Sequence, residues 1–593
     1  MLLCGSAKKD ITYFKPGVGM MGFGMWFNIV KEIETPLFAR AYVFIDQETG
    51  KKLAYVNAEI CFITVAIKRG VMKRLNRHHA ELNFHDQNVM LTAQHTHSGP
   101  GGYSHYGLYN MSIPGFMPEN YATIVDGIAD AIIEAHEKAV PAKLRITEGE
   151  MPTDREVAFN RSIDAWNQNP EVPKYSKDQT HLAFDKRMTL LLAEDLEGKP
   201  LFTINWFGIH TTSVPNYNTS INSDSKGYAA TWMEEALEKR FGKTVHASFA
   251  QRACGDISPN FVYVKERGQV MGKFKEDYLE SAKYNGKVQF EKAQELVEKA
   301  LVAPEISPGL DAALCYVKFA DTTAYPEFAN GNKDAFTSPP CQGVAFFEGT
   351  AEGPGMAKAV GAAARGLIKI VRAYEYAIAP FSKKEFGERI RKRDQAQGTK
   401  EILIESGERK IMGTGDVKNF IIPGWADRGI AAFKRFHANG SLADKPWTPL
   451  VLPLQIFILG EIALVGVPGE LTTVASWRLE KTILDVLSKR GVKQLIISTY
   501  CNAYHGYVTT FEEYQVQCYE GGHTVYGQYT LAAFQSRYKD LAEEMLKPET
   551  ERHLDHETNP VFFTEEELAK RTYDHKTQEP LLKAKKLGNP LAG

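Results

Sequence analysis

Five apolar, strand-like runs in this chain each lead directly into a cluster of polar and glycine residues, and this recurrence limits the possible fold more than any other feature. Residues 89–93 run into Gln94-His95-Thr96-His97-Ser98-Gly99, 201–207 into Gly208-Ile209-His210, and 245–251 into Cys254-Gly255-Asp256-Ile257-Ser258-Pro259. Residues 462–467 precede Pro468-Gly469-Glu470, and 494–498 precede the stretch from Asn502 to Tyr507. In α/β sheets ligands gather outside the carboxyl ends of strands, so the pattern predicts five segments converging on one site. Between these runs the period changes to that of a helix. Residues 65–82 read as a helix, Ile124, Ile128 and Ile132 repeat behind Pro118, and 225–241 and 287–301 behave alike. Residues 454–459 and 462–467 flank Gly460-Glu461, a hairpin signal with glycine at the first turn position.

The fold class expected is therefore α/β, a large single mixed α/β catalytic domain with its active site at strand C-terminal ends. No linker or repeat divides the first 545 of the 593 residues, so residues 1–547 are assigned to that domain. Residues 548–593 are polar and read as a C-terminal arm with one short helix, Thr564 and Glu567 forming its capping box.

Charge excludes one class of partner. With 70 Lys+Arg against 72 Asp+Glu there is no global field for nucleic acid. The longest apolar stretch, 454–467, is too short to span a bilayer and contains Glu461, so no transmembrane segment is expected and membrane contact would be peripheral. The start, MLLCGSAKKD, does not read as a signal peptide. Seven scattered cysteines without C-x-x-C spacing give neither a zinc ribbon nor a disulfide framework.

Chemistry is carried by the strand-end clusters. Two neutral imidazoles and a carboxylate, here His95, His210 and Glu470, form a common catalytic zinc shell that leaves room for an activated water. His95 and His97 lie two apart and would face the same way on extended backbone, so one can ligate while the other moves a proton. Each feature has a plainer reading too. His210 can be a satisfied core histidine, Glu470 can cap a helix over 471–479, and Asp256 and Ser258 can form a turn before Pro259. Gly-Asp-Ile-Ser-Pro lacks the G-x-S-x-G elbow, which makes Ser258 the weaker nucleophile, and the tyrosines between 504 and 526 would ordinarily be packing.

Taken together, several segments resemble the neutral (neutral/alkaline, non-lysosomal) ceramidases. These are Val18-Gly19-Met20-Met21-Gly22-Phe23, His95-Thr96-His97-Ser98-Gly99-Pro100, Asn160-Arg161-Ser162, Asn205-Trp206-Phe207 through His210, Gly255-Asp256-Ile257-Ser258-Pro259-Asn260, Val467-Pro468-Gly469-Glu470, and Tyr507-Val508-Thr509-Thr510 through Tyr519-Glu520-Gly521. They follow the family's order. The resemblance implies a zinc-dependent amidase that splits ceramide into sphingosine and a fatty acid by zinc-activated water. Carried over by motif, the Zn2+ ligands would be His95, His210, Glu470 and Tyr507, and the catalytic residues His97, Arg161, Ser258, Tyr519 and Asp256. Tyr507 is preferred to Tyr504 because the family spaces its ligand and catalytic tyrosines as Tyr507 and Tyr519 are spaced.

Two features differ from the family's usual pattern: residues 548–593 show no immunoglobulin-like strand set, and residues 25–36 depart from its usual wording. A ceramide enzyme would need an apolar wall beside the metal, for which Met25, Trp26, Phe27 and Ile29 are candidates. The alternatives are a zinc hydrolase of a smaller or soluble amide or ester, separable by chain-length preference, and a catalytically silent lipid-binding homologue, separable by zinc content. The family leans towards secretion or the periplasm, and the sequence leaves the compartment and the oligomeric state open.

Overall fold

Long β-branched and aromatic runs pair into two sheets that pack face to face. The computed structural model describes residues 1–110, 112–113, 115–307, 309–413, 428–555 and 557–573. The first sheet contains β1 (Leu2–Asp10), β2 (Phe38–Asp46), β3 (Lys52–Ala58), β4 (Val89–Ala93), β5 (Val140–Glu150), β6 (Arg187–Asp195), β7 (Pro200–Phe207) and β8 (His246–Gln251), in the order β8-β7-β6-β5-β1-β2-β3-β4. The second has β9 (Leu310–Val317), β10 (Leu452–Leu459), β11 (Ile462–Gly466) and β12 (Gln494–Ser498), in sequence order. Phe44, Tyr55 and Trp206 of the first sheet share one buried cluster with Phe457, Leu464 and Ile496 of the second.

Helices cover the outer faces. On the first sheet lie α1 (Val65–His78), α2 (Pro118–Glu137), α3 (Asp224–Phe241) and α4 (Tyr278–Ala300). Further along the chain come α5 (Lys358–Ile378), α6 (Thr473–Leu487), α7 (Thr530–Glu544) and α8 (Glu565–Arg571), of which α6 and α7 cover the second sheet. The four-residue repeat of α2 explains its place. Ile124, Ile128 and Ile132 are all buried on one face, each side chain contributing about 1.5–3 kcal/mol.

The predicted hairpin forms β10 and β11, with Leu459 opposite Ile462 and Gly460 at φ 57°, the left-handed conformation that a tight turn requires. Helix α4 starts at Tyr278, ahead of the expected 287, because the Asp277 side chain accepts from Glu280 N and caps it. The Thr564/Glu567 capping box opens α8. This arm is stitched to the body: Arg571 is buried and donates to Ser441 O, and Thr572 pairs with Phe116. Residues 574–593 of the expected arm lie outside the described residues.

Neighbouring strands in both sheets run antiparallel except at three pairs: β3 with β4, β7 with β8, and β11 with β12. All five strand-like runs found in the sequence belong to these pairs. β4 and β8 lie at opposite edges of the first sheet, yet the segments beyond β4 and β7 meet, Thr96 bridging Thr211 in parallel. Gln251 Nε2 at the end of β8 donates to Gln94 O at 2.9 Å and Ile209 O at 2.6 Å, tying these ends together. Right-handed twist accumulated over eight strands curls the sheet far enough to close this gap.

Candidate functional site

His95, His210 and Glu470 converge where the curled edge of the first sheet meets the second. Each offers a ligand atom within 4.8 Å of the others, and all three are buried. The His95 ring is aimed by strained backbone. At φ 80° this residue sits in the left-handed region, which costs about 1–3 kcal/mol away from glycine and recurs where function fixes a side chain. Its Nδ1 lies 2.7 Å from Cys61 O, and His210 Nδ1 lies 2.9 Å from Ile257 O. With Nδ1–H donated to a carbonyl, both rings present an Nε2 lone pair to the cluster, the orientation that metal-ligating histidines need. Glu470 Oε1 is 3.7 Å from His95 Nε2, and Oε2 is 3.2 Å from His210 Nε2 yet has no hydrogen-bond donor. A buried carboxylate oxygen without a donor, facing two imidazole lone pairs, fits a cation.

The fourth expected ligand comes from the same seam. Glu470-Leu471 pairs in parallel with Tyr507-Val508, Glu470 opposite Tyr507, and the Tyr507 hydroxyl lies 3.4 Å from His210 Nε2. Tyr504 donates its hydroxyl to Glu470 Oε1 at 2.6 Å, so it supports the carboxylate. A second group, Cys61, His95 and His97, also lies within ligand reach. It is the poorer donor set. Burial pushes the Cys61 thiol well up, and the His95 Nδ1 near its sulfur is already engaged by Cys61 O.

Glu470 does not cap a helix. Helix α6 begins at Thr473, whose N and Oγ1 both donate to Asp256 Oδ1 at 2.9 Å, so Asp256 satisfies that helix end across the chain. Asp256 Oδ2 accepts from Asn160 Nδ2 at 2.7 Å, so both carboxylate oxygens are engaged. Burial raises the Asp256 carboxyl to about 6.

Burial pulls the His95 imidazole down to about 4 and, with His95 and His210 as neighbours, holds His97 well below the ordinary histidine value. Burial opposes ionisation of Glu470, but the two imidazoles and the Tyr504 hydroxyl keep it well below the usual carboxylate range. For His210, burial and Arg161 oppose protonation, and Cys254 and Glu470 outweigh them, giving about 10, so a proton and a metal ion compete for its Nε2 lone pair. Glu470 therefore draws positive charge into the cluster.

His97 Nε2 sits 3.0 Å from His95 Nε2, and its buried Nδ1 has no partner. Phe23 meets this ring edge-on at 4.7 Å. Gly22, at φ 127°, lies so close that a Cβ there would overlap the imidazole, so residues 18–23 shape the pocket around His97. Met25, Trp26, Phe27 and Ile29 follow as half-buried side chains.

Arg161 is held on every side. Nη2 donates to the Tyr507 hydroxyl at 3.0 Å and Gly255 O at 2.8 Å, Nη1 to Glu352 at 2.7 Å, and Nε to Glu520 at 2.8 Å. Ser258 donates to Glu352 Oε2 at 2.6 Å and accepts from Asn260 N at 2.9 Å, so the turn reading and the site reading are both true of it. Tyr519 packs edge-on to Tyr507 at 5.5 Å, with Arg161 5.4 Å from its ring. Burial pushes its phenol up, and Tyr519 therefore remains a proton donor at neutral pH. Tyr514 and Tyr526 donate to Gln397 O and Pro449 O and are packing residues.

Two site residues were missed from sequence, Glu352 and Glu520. Glu352 also accepts from Thr212 at 3.1 Å and Asn260 at 2.9 Å, making it the hub of the network around Arg161. It lies between Gly349 and Pro354 with no strand-like run before it. Glu520 directly follows Tyr519 inside a segment already singled out, a signal that could have found it.

Residues 2–416 and 434–536 match the family described as neutral/alkaline non-lysosomal ceramidase, N-terminal. The neutral ceramidase of Pseudomonas aeruginosa is 32% identical over 548 residues, covering 91% of this chain and 71% of that protein. Neutral ceramidase A of Dictyostelium discoideum is 32% identical over 575 residues, covering 91% and 72%. Among solved structures, the crystal structure of neutral ceramidase from Pseudomonas aeruginosa superposes with a TM-score of 0.72 at 29% identity, covering 92% of this chain and 74% of that one. A ceramidase complexed with C2 gives 0.74 at 29%, covering 95% and 78%.

Proposed function

The chain belongs to the neutral/alkaline non-lysosomal ceramidase family, and from that premise we propose that it is a zinc-dependent amidase hydrolysing the N-acyl bond of ceramide, or of a related N-acyl sphingoid lipid, to a sphingoid base and a fatty acid. Relatives bearing the name neutral ceramidase support the substrate class. The observation that carries the chemistry is the pair of Nε2 lone pairs on His95 and His210 facing the donor-less Glu470 Oε2. His95, His210, Glu470 and Tyr507 would hold the ion. A zinc ion there supplies a Lewis acid that polarises the amide carbonyl and acidifies water. Residues 1–547 are taken as the catalytic domain and 548–593 as its arm.

The chain's own residues do the rest. His97, kept neutral by burial, takes a proton from the attacking water at a ring nitrogen and passes it to the departing amine. Tyr519 donates to the carbonyl oxygen as negative charge develops, a contribution that grows in a water-poor site. Arg161, fixed by Glu352 and Glu520, orients the Tyr507 phenol through its 3.0 Å hydrogen bond. Ser258 donates to Glu352 rather than to an imidazole, which makes it a positioning residue in the Arg161 network. Asp256, with both oxygens engaged, acts likewise by tying the loop after β8 to the start of α6. The half-buried side chains of residues 25–29 are assigned to the apolar wall for the acyl chain, each buried methylene contributing about 0.8 kcal/mol.

Metal analysis combined with an acyl-chain series tests this reading. One zinc per chain is expected, with ceramide cleavage sustained as the acyl chain grows from about two to about sixteen carbons in mixed micelles. Activity that falls along the series would replace ceramide with a soluble amide. A metal-free, inactive protein would leave a silent lipid-binding homologue.

A further inference from the structure

Helix α5 turns three of its charged side chains, Arg365, Arg372 and Glu375, towards the protein and a row of apolar ones towards solvent. Arg365 is held by Glu348 (2.5 and 2.8 Å) and Glu401 (2.6 Å), Arg372 by Asp394 (2.8 Å), and Glu375 by Arg393 (2.7 Å). On the opposite side Val360, Leu367, Ile370 and Tyr374 recur at helical spacing, and Phe381 continues the line just past the helix end. Ile370 is 67%, Tyr374 63% and Phe381 92% exposed. The 21-residue helix makes this stripe roughly 30 Å long. A contiguous apolar face of that size marks an interaction surface.

Charge selects the occupant. Residues 358–384 carry Lys358, Arg365, Lys369, Arg372, Lys383 and Lys384 against Glu375 and no other acid, in a chain whose formal net charge is -2. The four lysines are exposed, and Glu375 is buried. A second copy of this face would set cations against cations. An anionic lipid surface complements both the stripe and the lysines, and exposed Tyr374 and Phe381 are side chains suited to headgroup depth. No helix of the described residues is long and apolar enough to cross a membrane, so the helix would lie on it.

The helix is also linked to the site. The short helix Val344–Glu348 places Phe346 against His523 (3.9 Å between ring centroids) and Tyr519 (5.3 Å), while its Glu348 clamps Arg365. Glu352, the hub of the Arg161 network, follows four residues later. We propose that the outer face of α5 is an interfacial docking surface that seats the protein on anionic bilayers, bringing membrane-held substrate to the Tyr519 side of the site. The delivery role rests on the lipid-amide reading above; the docking itself does not.

The test uses the full-length, metal-loaded protein and phosphatidylcholine vesicles with and without about 30 mol% phosphatidylglycerol. The wild type is expected to sediment with the anionic vesicles, and Leu367→Gln/Ile370→Gln/Tyr374→Gln to bind them roughly tenfold or more weakly. That variant should still cleave monomeric short-chain ceramide at the wild-type rate while losing turnover of vesicle-embedded long-chain ceramide. Lys358→Glu/Lys369→Glu should weaken binding to anionic vesicles and leave binding to pure phosphatidylcholine unchanged. The proposal is overturned if the wild type does not sediment, if the triple variant sediments like it, or if the triple substitution dissolves a dimer and spares vesicle binding. Stripe-dependent vesicle binding by a protein that cleaves no ceramide would keep the surface and remove the ceramidase reading.

Discussion

The two sheets supply different halves of the site. Ends of the eight-stranded sheet carry the nitrogen donors, His95 and His97 beyond β4 and His210 beyond β7. The four-stranded sheet carries the oxygens, Glu470 beyond β11 and Tyr507 beyond β12. The nitrogen half is set by backbone: the His95 and His210 imidazoles are each pinned through Nδ1 to a main-chain carbonyl. The oxygen half is held by side chains, Glu470 by Tyr504 and Tyr507 by Arg161, and Arg161 in turn by Glu352 and Glu520. One half is thus set by main chain and the other by a buried charge network, so substitutions should affect them differently.

The largest effect is expected where the halves meet. Glu470→Gln and His95→Ala should each lose metal and activity together, with turnover down by ~10³-fold or more, read by metal analysis alongside kcat. Retained metal in Glu470→Gln would break the comparison, because the oxygen side would then not be needed for binding. Next, Tyr519→Phe should keep its metal and lose ~10²–10³ in kcat, the usual result of removing one oxyanion donor. A covalent acyl group trapped on Ser258 would instead replace this scheme with a nucleophilic one.

Glu352→Gln should cost about 10–100-fold in activity by loosening Arg161 and Tyr507, within the range for residues that orient a metal ligand. Equal losses from Glu352→Gln and His95→Ala would show that the two halves are not distinct in kind. A smaller, graded effect concerns stability on the first sheet alone. Burial lowers the His246 imidazole to about 4 from the ordinary 6.5, so the unfolded chain binds its proton first as pH falls. The stability this histidine contributes is complete above about 6.5 and lost towards pH 4, a change of up to ~3 kcal/mol. His246→Gln should flatten that part of the thermal-unfolding profile against pH.

The nitrogen half was legible in sequence because each histidine follows an apolar run, and strand ends point at sites. The β10–β11 turn at Gly460 and the α8 capping box were legible for the same local reason. Glu470 was ambiguous, since Pro-Gly-Glu before a helical pattern also describes a cap. The ambiguity ended only with Asp256, remote in sequence, occupying the α6 N-terminus. The curl that joins β4 to β7 depends on pairing across eight strands and left no local trace. Glu352 was equally silent, because its partners Arg161, Thr212, Ser258 and Asn260 are brought to it only by that tertiary closure.

The central claim is that one metal ion joins the two halves, and an anomalous-scattering map at the zinc edge from crystals of the zinc-loaded protein tests it most directly. The account predicts a single peak about 2.0–2.2 Å from His95 Nε2, His210 Nε2, a Glu470 carboxylate oxygen and the Tyr507 hydroxyl oxygen. A peak on Cys61 and His97 instead, or no peak between Glu470 and the imidazoles, would contradict it.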